Sequence, residues 1–192
     1  MSMPSQRPAT EADLAALWAL RTRAVRTGCA SHYPSEVIDI WSAAAPPATM
    51  PLLIRAGGGI VAEDADRLLG YAVLDAETGE VDAVFVDPGA HGQGIGSALL
   101  AALEAMARAQ DLDRLFLSAS LNAVPFYERA GFRALRERLV PHRSGIAIRA
   151  LKMEKRLTLS GYTAPCRPPS PSVAPAPAAQ SRACPPAPAP SS

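Results

Sequence analysis

Cysteine is scarce in this sequence. The 192-residue chain has three cysteines, Cys29, Cys166 and Cys184, which are odd in number and far apart. Such spacing matches neither a disulfide framework nor a set of zinc ligands. We therefore expect a protein without a metal site, and the cytoplasm is its expected location.

Net charge and long hydrophobic runs are also lacking. The chain has 19 basic and 18 acidic residues, a formal net charge of +1. A nearly neutral surface does not favour nucleic acid or a membrane as partner. No apolar run follows the first residues, so we expect no secretory signal. The longest apolar helix is interrupted by Glu104 and Arg108, which argues against a membrane span.

Proline, in contrast, is abundant at one end of the chain. Ten of the 19 prolines lie between Pro165 and Pro190, and no acidic residue follows Glu154. A Pro/Ala/Ser-rich segment buries too little apolar surface to fold. We predict a folded domain over residues 1–157 and a disordered tail over residues 158–192. A passive tail is our interpretation, with docking to a proline-binding partner as the alternative.

The central stretch combines a strand, a glycine-rich turn and a helix. Residues 81–86 are rich in Val and Phe and predict a strand that ends at Pro88-Gly89. Glycines at positions 92, 94 and 96 then lead into a helix with apolar residues at 95, 99, 103 and 106. The free N–H groups and the dipole of a helix N-terminus favour an anion there, so the turn is a candidate phosphate site.

Spacing separates three kinds of phosphate-binding loop. The Walker type requires Gly-Lys-Ser/Thr, and no lysine adjoins Gly96-Ser97. The dinucleotide type requires G-x-G-x-x-G, whereas this loop has G-x-G-x-G. Val86-Asp87-Pro88 followed by His91-Gly-Gln-Gly-Ile-Gly96 is similar to the loop that binds the diphosphate of coenzyme A. The one departure is His91, where that pattern has Arg or Gln.

A second motif lies about thirty residues downstream. Asn122-Ala-Val-Pro-Phe-Tyr127 is followed by Gly131-Phe132, which matches Asn-x-x-x-x-Phe-Tyr-x-x-x-Gly-Phe in all but the spacing before Phe. With both motifs in order, the chain resembles the GNAT superfamily of N-acetyltransferases over about residues 6–157. The resemblance implies acetyl-CoA as acyl donor, held by Phe85, Val86, His91, Gly92, Gln93, Gly94, Ile95, Gly96, Ser97 and Asn122.

The predicted elements give an α/β fold. Strands with short turns between them form an antiparallel meander, and the central helix is a crossover between two parallel strands. The resemblance implies that these parallel strands splay apart and admit the pantetheine arm as an added strand would enter. We predict helices at 11–27, 36–44, 96–110 and 124–130, an extended segment around Pro46, Pro47 and Pro51, and strands at 59–63, 68–74, 80–86, 115–118, 132–140 and 146–154.

Acetyl transfer to an amine needs a proton acceptor and a proton donor. An amine with a pKa of about 10.4 is neutral in only about one molecule in 10³ at pH 7. Glu80 and Asp82, two apart on one strand, are the candidate bases. The resemblance assigns Tyr127 as the acid for the leaving thiolate, with packing as its alternative. An N–H of Phe85 or Val86 is the candidate oxyanion donor.

The acceptor amine is open between small molecules and proteins. His32 and Tyr33, in the loop between the first two helices, are candidate substrate contacts, with an ordinary loop role as the alternative. We predict direct transfer in a ternary complex. A catalytically silent acyl-CoA-binding module is the main alternative, and a nucleotide-phosphate binder is a weaker one. The edge of the final hairpin leaves a homodimer open.

Overall fold

A computed structural model describes residues 4–65 and 67–158. Within these residues a seven-stranded mixed sheet has the order β1-β2-β3-β4-β5-β7-β6, and only the β4–β5 pair is parallel. The strands are β1 (Ser5–Pro8), β2 (Gly59–Asp64), β3 (Arg67–Asp75), β4 (Glu80–Val86), β5 (Arg114–Ser120), β6 (Arg133–Pro141) and β7 (Ala147–Arg156). The helices are α1 (Leu14–Gly28), α2 (Ser35–Ala43), α3 (Thr49–Arg55), α4 (Ile95–Ala109) and α5 (Val124–Arg129).

The predicted fold class is confirmed. The meander, the crossover helix and the final hairpin all form, and the parallel pair is the predicted one. The tail over residues 158–192 lies, apart from its first residue, outside the described residues, so its disorder and the domain boundary remain predictions.

The prediction of an extended segment around the three prolines is wrong in its second half. Instead of staying extended, residues Thr49–Arg55 form α3, with Pro51 in its first turn. A proline costs little there because the first N–H groups of a helix have no intrahelical acceptor. Met50 and Ile54 of this helix are buried, so tertiary packing supports a helix that the prolines obscured.

Both faces of the sheet are covered. Alternate residues of β3 point to opposite sides: Ala72 and Leu74 pack in the core that includes Leu99 and Leu103 of α4. Tyr71 and Val73 pack in a second core with residues of α1 and α3. Helices therefore pack against both faces of the sheet.

A β-bulge interrupts β4 at Asp82. Ala83 pairs with Val73 and Val81 pairs with Leu74, so Asp82 is the extra residue on its strand. Bulges bend a strand and redirect a side chain, and they are common beside functional sites. Here the bulge lies where β4 begins to separate from β5.

Candidate functional site

Two residues of the glycine-rich turn have left-handed backbone conformations. Gly92 and Gly94 both have φ of +78°, and Gly94 is the N-cap of α4. A side chain strains this conformation, which explains the glycines. A Cβ at either position would meet no atom within 4 Å, so the surface of the turn is open to a ligand.

The backbone amides of the turn are available for an anion. Among the described residues, no acceptor takes a hydrogen bond from the N–H groups of residues 92–97. These unpaired donors lie at the positive end of the α4 dipole. The turn therefore fits the diphosphate of coenzyme A, as the resemblance implies.

Asp87 joins this turn to α1. Its carboxylate accepts a hydrogen bond from the Gly89 N–H at 3.0 Å and pairs with Arg23 at 2.8 Å. The hydrogen bond from Arg23 is the main cause that lowers the pKa of Asp87. The start of the turn is thus anchored to a helix from the other end of the domain.

The two central parallel strands separate almost at once. β4 and β5 pair only at Glu80 and Phe116. Beyond that pair, residues 81–86 and 117–120 line opposite walls of a cleft of about 860 Å³. The cleft is wide enough for a small-molecule or cofactor arm, and pockets of this size are typical of such sites.

The register decides which β4 amides face the cleft. The Asp87 N–H donates to the Leu69 carbonyl on β3. In an antiparallel ladder, hydrogen-bonded pairs alternate with pairs that are not hydrogen-bonded. The Phe85–Tyr71 pair is therefore hydrogen-bonded, like that of Asp87, whereas the Val86–Gly70 pair between them is not. The N–H of Val86 therefore lies on the open edge. Of the two candidate oxyanion donors, Val86 is the one placed to act.

Tyr127 lies in the cleft wall. Its ring is buried between Phe126 and Phe132, with centroids 5.0 and 5.6 Å away. Its hydroxyl has no hydrogen-bond partner among the described residues, yet it is not sealed from the cleft. Burial raises the pKa of Tyr127, which keeps the hydroxyl protonated. A protonated, unpaired hydroxyl suits a proton donor.

Asn122 is oriented by a buried cysteine. The Cys29 thiol donates to Asn122 Oδ1 at 3.2 Å, which leaves the amide nitrogen as a free donor. Burial raises the pKa of Cys29 to about 11, so the thiol stays protonated at neutral pH. Cys29 therefore lacks the thiolate that a covalent acyl-enzyme requires.

The two candidate bases have different surroundings. Asp82 lines the cleft, whereas Glu80 pairs with Lys152 at 3.3 Å and does not line it. Although the Asp82 side chain is exposed at the cleft wall, surrounding protein atoms displace much of its water. This desolvation, followed by the charges of Glu80 and Asp75, raises the pKa of Asp82.

The candidate substrate contacts do not reach the cleft. His32 is exposed and contacts Ser31. Tyr33 is buried, donates to the Arg149 carbonyl at 2.6 Å and accepts from the Leu121 N–H at 2.9 Å. Because both of its hydrogen-bonding positions are occupied, Tyr33 joins the loop to the sheet. Neither residue lines the cleft, which favours the ordinary loop role, and a contact with the acceptor remains a prediction.

The structure brings most of the predicted donor-site residues together. Gln93 is exposed on the turn and, unlike its neighbours, does not line the cleft. The predicted residues that do line it are Asp82, Phe85, Val86, His91, Gly92, Gly94, Ile95, Gly96, Ser97, Asn122 and Tyr127. The His91 ring also lies 3.2 Å from the Val86 carbonyl.

The sequence analysis missed the opposite end of the cleft. There the wall is formed by side chains from α1, α2, β3 and the final hairpin. Arg21 in α1 was detectable, because a cation interrupts the apolar stripe of Leu14, Leu17, Trp18 and Val25. The other contributions had no local signal. The missed lining residues include Trp18, Arg21, Trp41, Tyr71 and His142.

Within residues 4–65 and 67–158 there is no cluster of three or more His, Cys, Asp or Glu residues that could hold a metal ion. This part of the chain also has no helix that is both long and apolar enough to cross a membrane.

Known proteins share this architecture. The family model of the acetyltransferase (GNAT) domain matches residues 29–157. A GCN5-related N-acetyltransferase structure from Rhodopseudomonas palustris superimposes with a TM-score of 0.73 at 28% identity, covering 82% of this chain and 98% of that one.

Two curated relatives match smaller shares of the chain than this structure does. Peptidyl-lysine N-acetyltransferase YjaB of Salmonella typhimurium is 28% identical over 120 residues, which is 62% of this chain and 74% of that protein. Glucosamine 6-phosphate N-acetyltransferase of Trypanosoma brucei brucei is 39% identical over 56 residues, 29% of this chain and only 38% of that protein. The chain belongs to the GNAT acetyltransferases, a family of acetyl-CoA-dependent acyltransferases.

Proposed function

We propose that this protein transfers the acetyl group of acetyl-CoA directly to a primary amine in a ternary complex. The observation that supports it is one continuous cleft, lined by Asp82 near the start of β4 and by the glycine turn beyond the end of the same strand. Both reactants then meet between β4 and β5, and no protein group has to carry the acetyl group between two sites.

We assign one residue of the cleft to each step of the transfer. Asp82 accepts the amine proton, directly or through a water, as the nitrogen bonds to the thioester carbon. The Val86 N–H donates to the oxyanion that forms. Tyr127 donates its proton to the thiolate as the carbon–sulfur bond breaks. Asn122 donates its amide N–H to the pantetheine arm.

The cysteine argues against a covalent route. Cys29 lies in the cleft wall, but its thiol is buried, protonated and hydrogen-bonded to Asn122. An acetyl-enzyme on this residue would first need the thiolate, which burial disfavours. Direct transfer needs no such nucleophile.

Initial-rate kinetics test the proposal. Thiol release is followed while acetyl-CoA and an accepted amine are both varied. We expect intersecting double-reciprocal lines. Cys29→Ala, once its folding has been verified, should retain kcat with a weaker affinity for acetyl-CoA, because Asn122 loses its thiol partner. Parallel lines together with an acetylated Cys29 in mass spectrometry would contradict direct transfer. Acetyl-CoA binding without release of thiol to any amine would instead favour a silent binding module.

A further inference from the structure

Arg21 is a buried cation in the wall of the cleft. Its side chain lines the cleft, and the residue is only 3% exposed. Its guanidinium lies 4.6 Å from the ring centroid of Trp18 and 5.6 Å from that of Trp41. Two aromatic faces therefore hold the guanidinium in a fixed position.

Only part of this guanidinium is hydrogen-bonded. Nη1 donates to the carbonyls of Trp41 at 2.8 Å and Ser42 at 3.4 Å. Within the described residues, Nε and Nη2 have no acceptor and no carboxylate forms a salt bridge with Arg21. Neither nitrogen is sealed in the protein, because no buried side-chain donor of the described residues lacks a partner. The two free donors thus open to the cleft.

A buried charge without a counter-charge is costly. Arginine is rarely buried unless it is paired. The carbonyls at the C-terminus of α2 supply partial negative charge, but they engage one nitrogen of three. Burial lowers the pKa of Arg21, as expected for a cation that lacks a full partner. The remaining pair of N–H groups has the fork geometry that binds a planar carboxylate through two parallel hydrogen bonds.

Tyr71 relates Arg21 to the proposed base. Burial is the main cause that raises the pKa of Tyr71, and the nearby charges act on it in opposite directions: Arg21 lowers it and Asp82 raises it. Arg21, Tyr71 and Asp82 all line the same cleft, which therefore contains a fixed positive charge and the proposed proton acceptor. His142 adds no second cation, because burial and then the charge of Arg21 lower its pKa.

We infer that the acceptor is an amine that also has a carboxylate, an amino-acid-like small molecule whose carboxylate binds Nε and Nη2 of Arg21 while its nitrogen lies at Asp82. This inference rests on the proposed function for the chemistry at the nitrogen. The carboxylate site itself stands on Arg21 and is testable without turnover.

Binding is measured first, without catalysis. Both tryptophans of the chain lie against Arg21, so intrinsic fluorescence reports on this position. The full chain is titrated with N-acetyl-alanine and, in parallel, with N-acetyl-alanine amide. We expect saturable binding of the acid that is about 10- to 100-fold tighter than that of the amide, which lacks the charge-assisted hydrogen bonds.

Three variants separate binding from folding. Arg21→Gln should remove the preference for the acid, and Arg21→Lys should retain only part of it because an ammonium lacks the fork. Arg55→Gln is the matched control, since Arg55 is exposed and pairs with Glu11 on the surface. Circular dichroism and acetyl-CoA affinity verify that each variant is folded. An equal affinity of wild type for acid and amide overturns the inference.

Kinetics then identify the acceptor class. Alanine is compared with alaninamide, and β-alanine with O-phosphoethanolamine, by thiol release. We expect kcat/KM at least about 10-fold higher for each carboxylate, with the preference lost in Arg21→Gln mainly through KM. Preference for the phosphate overturns the carboxylate assignment.

The two proposals fail in different ways. Acetylation of peptide lysines, with no binding of N-acetyl-alanine, would retain the transferase and overturn the carboxylate site. Binding of N-acetyl-alanine through Arg21, with no amine acetylated, would retain the site and overturn the proposed function.

Discussion

The two ends of the cleft are built in different ways. The proposed donor end is formed largely by one continuous stretch, residues 86–97, and it offers backbone amides. The proposed acceptor end is assembled from side chains of α1, α2, β3, β4 and the hairpin between β6 and β7. A site made of backbone amides tolerates changes of side chain. The specificity of a site made of side chains depends on which residues form it. One family can thus retain a donor while its acceptors vary.

The largest effect should come from the acceptor end, at the proposed base. Asp82→Asn removes the proton acceptor, and we expect kcat/KM to fall by about 10² to 10⁴ with acetyl-CoA affinity unchanged. In the wild type, activity should decline as the pH falls through the pKa of Asp82, which burial raises above the usual value of an aspartate. This acid limb should be absent from the residual activity of the variant.

Asp82→Asn should lower activity without lowering the free energy of unfolding, so stability provides a second check. Folding raises the pKa of Asp82, so its ionised form is disfavoured in the folded state. Above that pKa, Asp82→Asn should therefore leave stability unchanged or increase it slightly. A strongly destabilised variant in urea unfolding would show that Asp82 has a structural role instead.

A substitution at Tyr127 tests the proposed proton donor, which acts where the two reactants meet. Tyr127→Phe retains the ring packing and removes the hydroxyl, so kcat should fall about 10- to 100-fold while acetyl-CoA affinity stays close to wild type. Tyr33→Phe is the matched control. It removes a hydroxyl with two structural hydrogen bonds, at a cost of about 1–3 kcal/mol in stability with little effect on kcat. Equal kcat values for Tyr127→Phe and wild type would exclude the acid role.

The donor end should respond to strain in its backbone. At Gly94, with φ of +78°, an alanine costs about 1–2 kcal/mol in the left-handed conformation. We expect the acetyl-CoA Kd to rise about 10-fold in Gly94→Ala, measured by calorimetry. Gly57→Ala is the control, because Gly57 has φ of +82° and open space around it but lies away from the cleft. The same loss of affinity in both variants would point to general destabilisation.

The smallest effect is expected at Glu80. Because Glu80 pairs with Lys152 outside the cleft, Glu80→Gln should retain kcat within about twofold. Its charge contributes to the raised pKa of Asp82, so the acid limb of the pH profile should move to lower pH. A loss of activity as large as that of Asp82→Asn would reverse the assignment of the two carboxylates.

Local signals explain which parts were predictable. The glycine turn and α4 follow from neighbouring residues, because φ requirements and a four-residue apolar spacing are local. The antiparallel meander likewise follows from short turns between apolar runs. In contrast, Pro46, Pro47 and Pro51 suggested an extended chain, and only the burial of Met50 and Ile54 reveals why α3 forms.

The sequence by itself determined the family, the order of the elements and the glycine turn at the start of α4, since each depends on residues close together in the chain. The tertiary structure decided the rest: the bulge at Asp82, the pairing of Glu80 with Lys152 and the place of Arg21 between two tryptophans. These depend on contacts between distant segments, whose geometry no local pattern records.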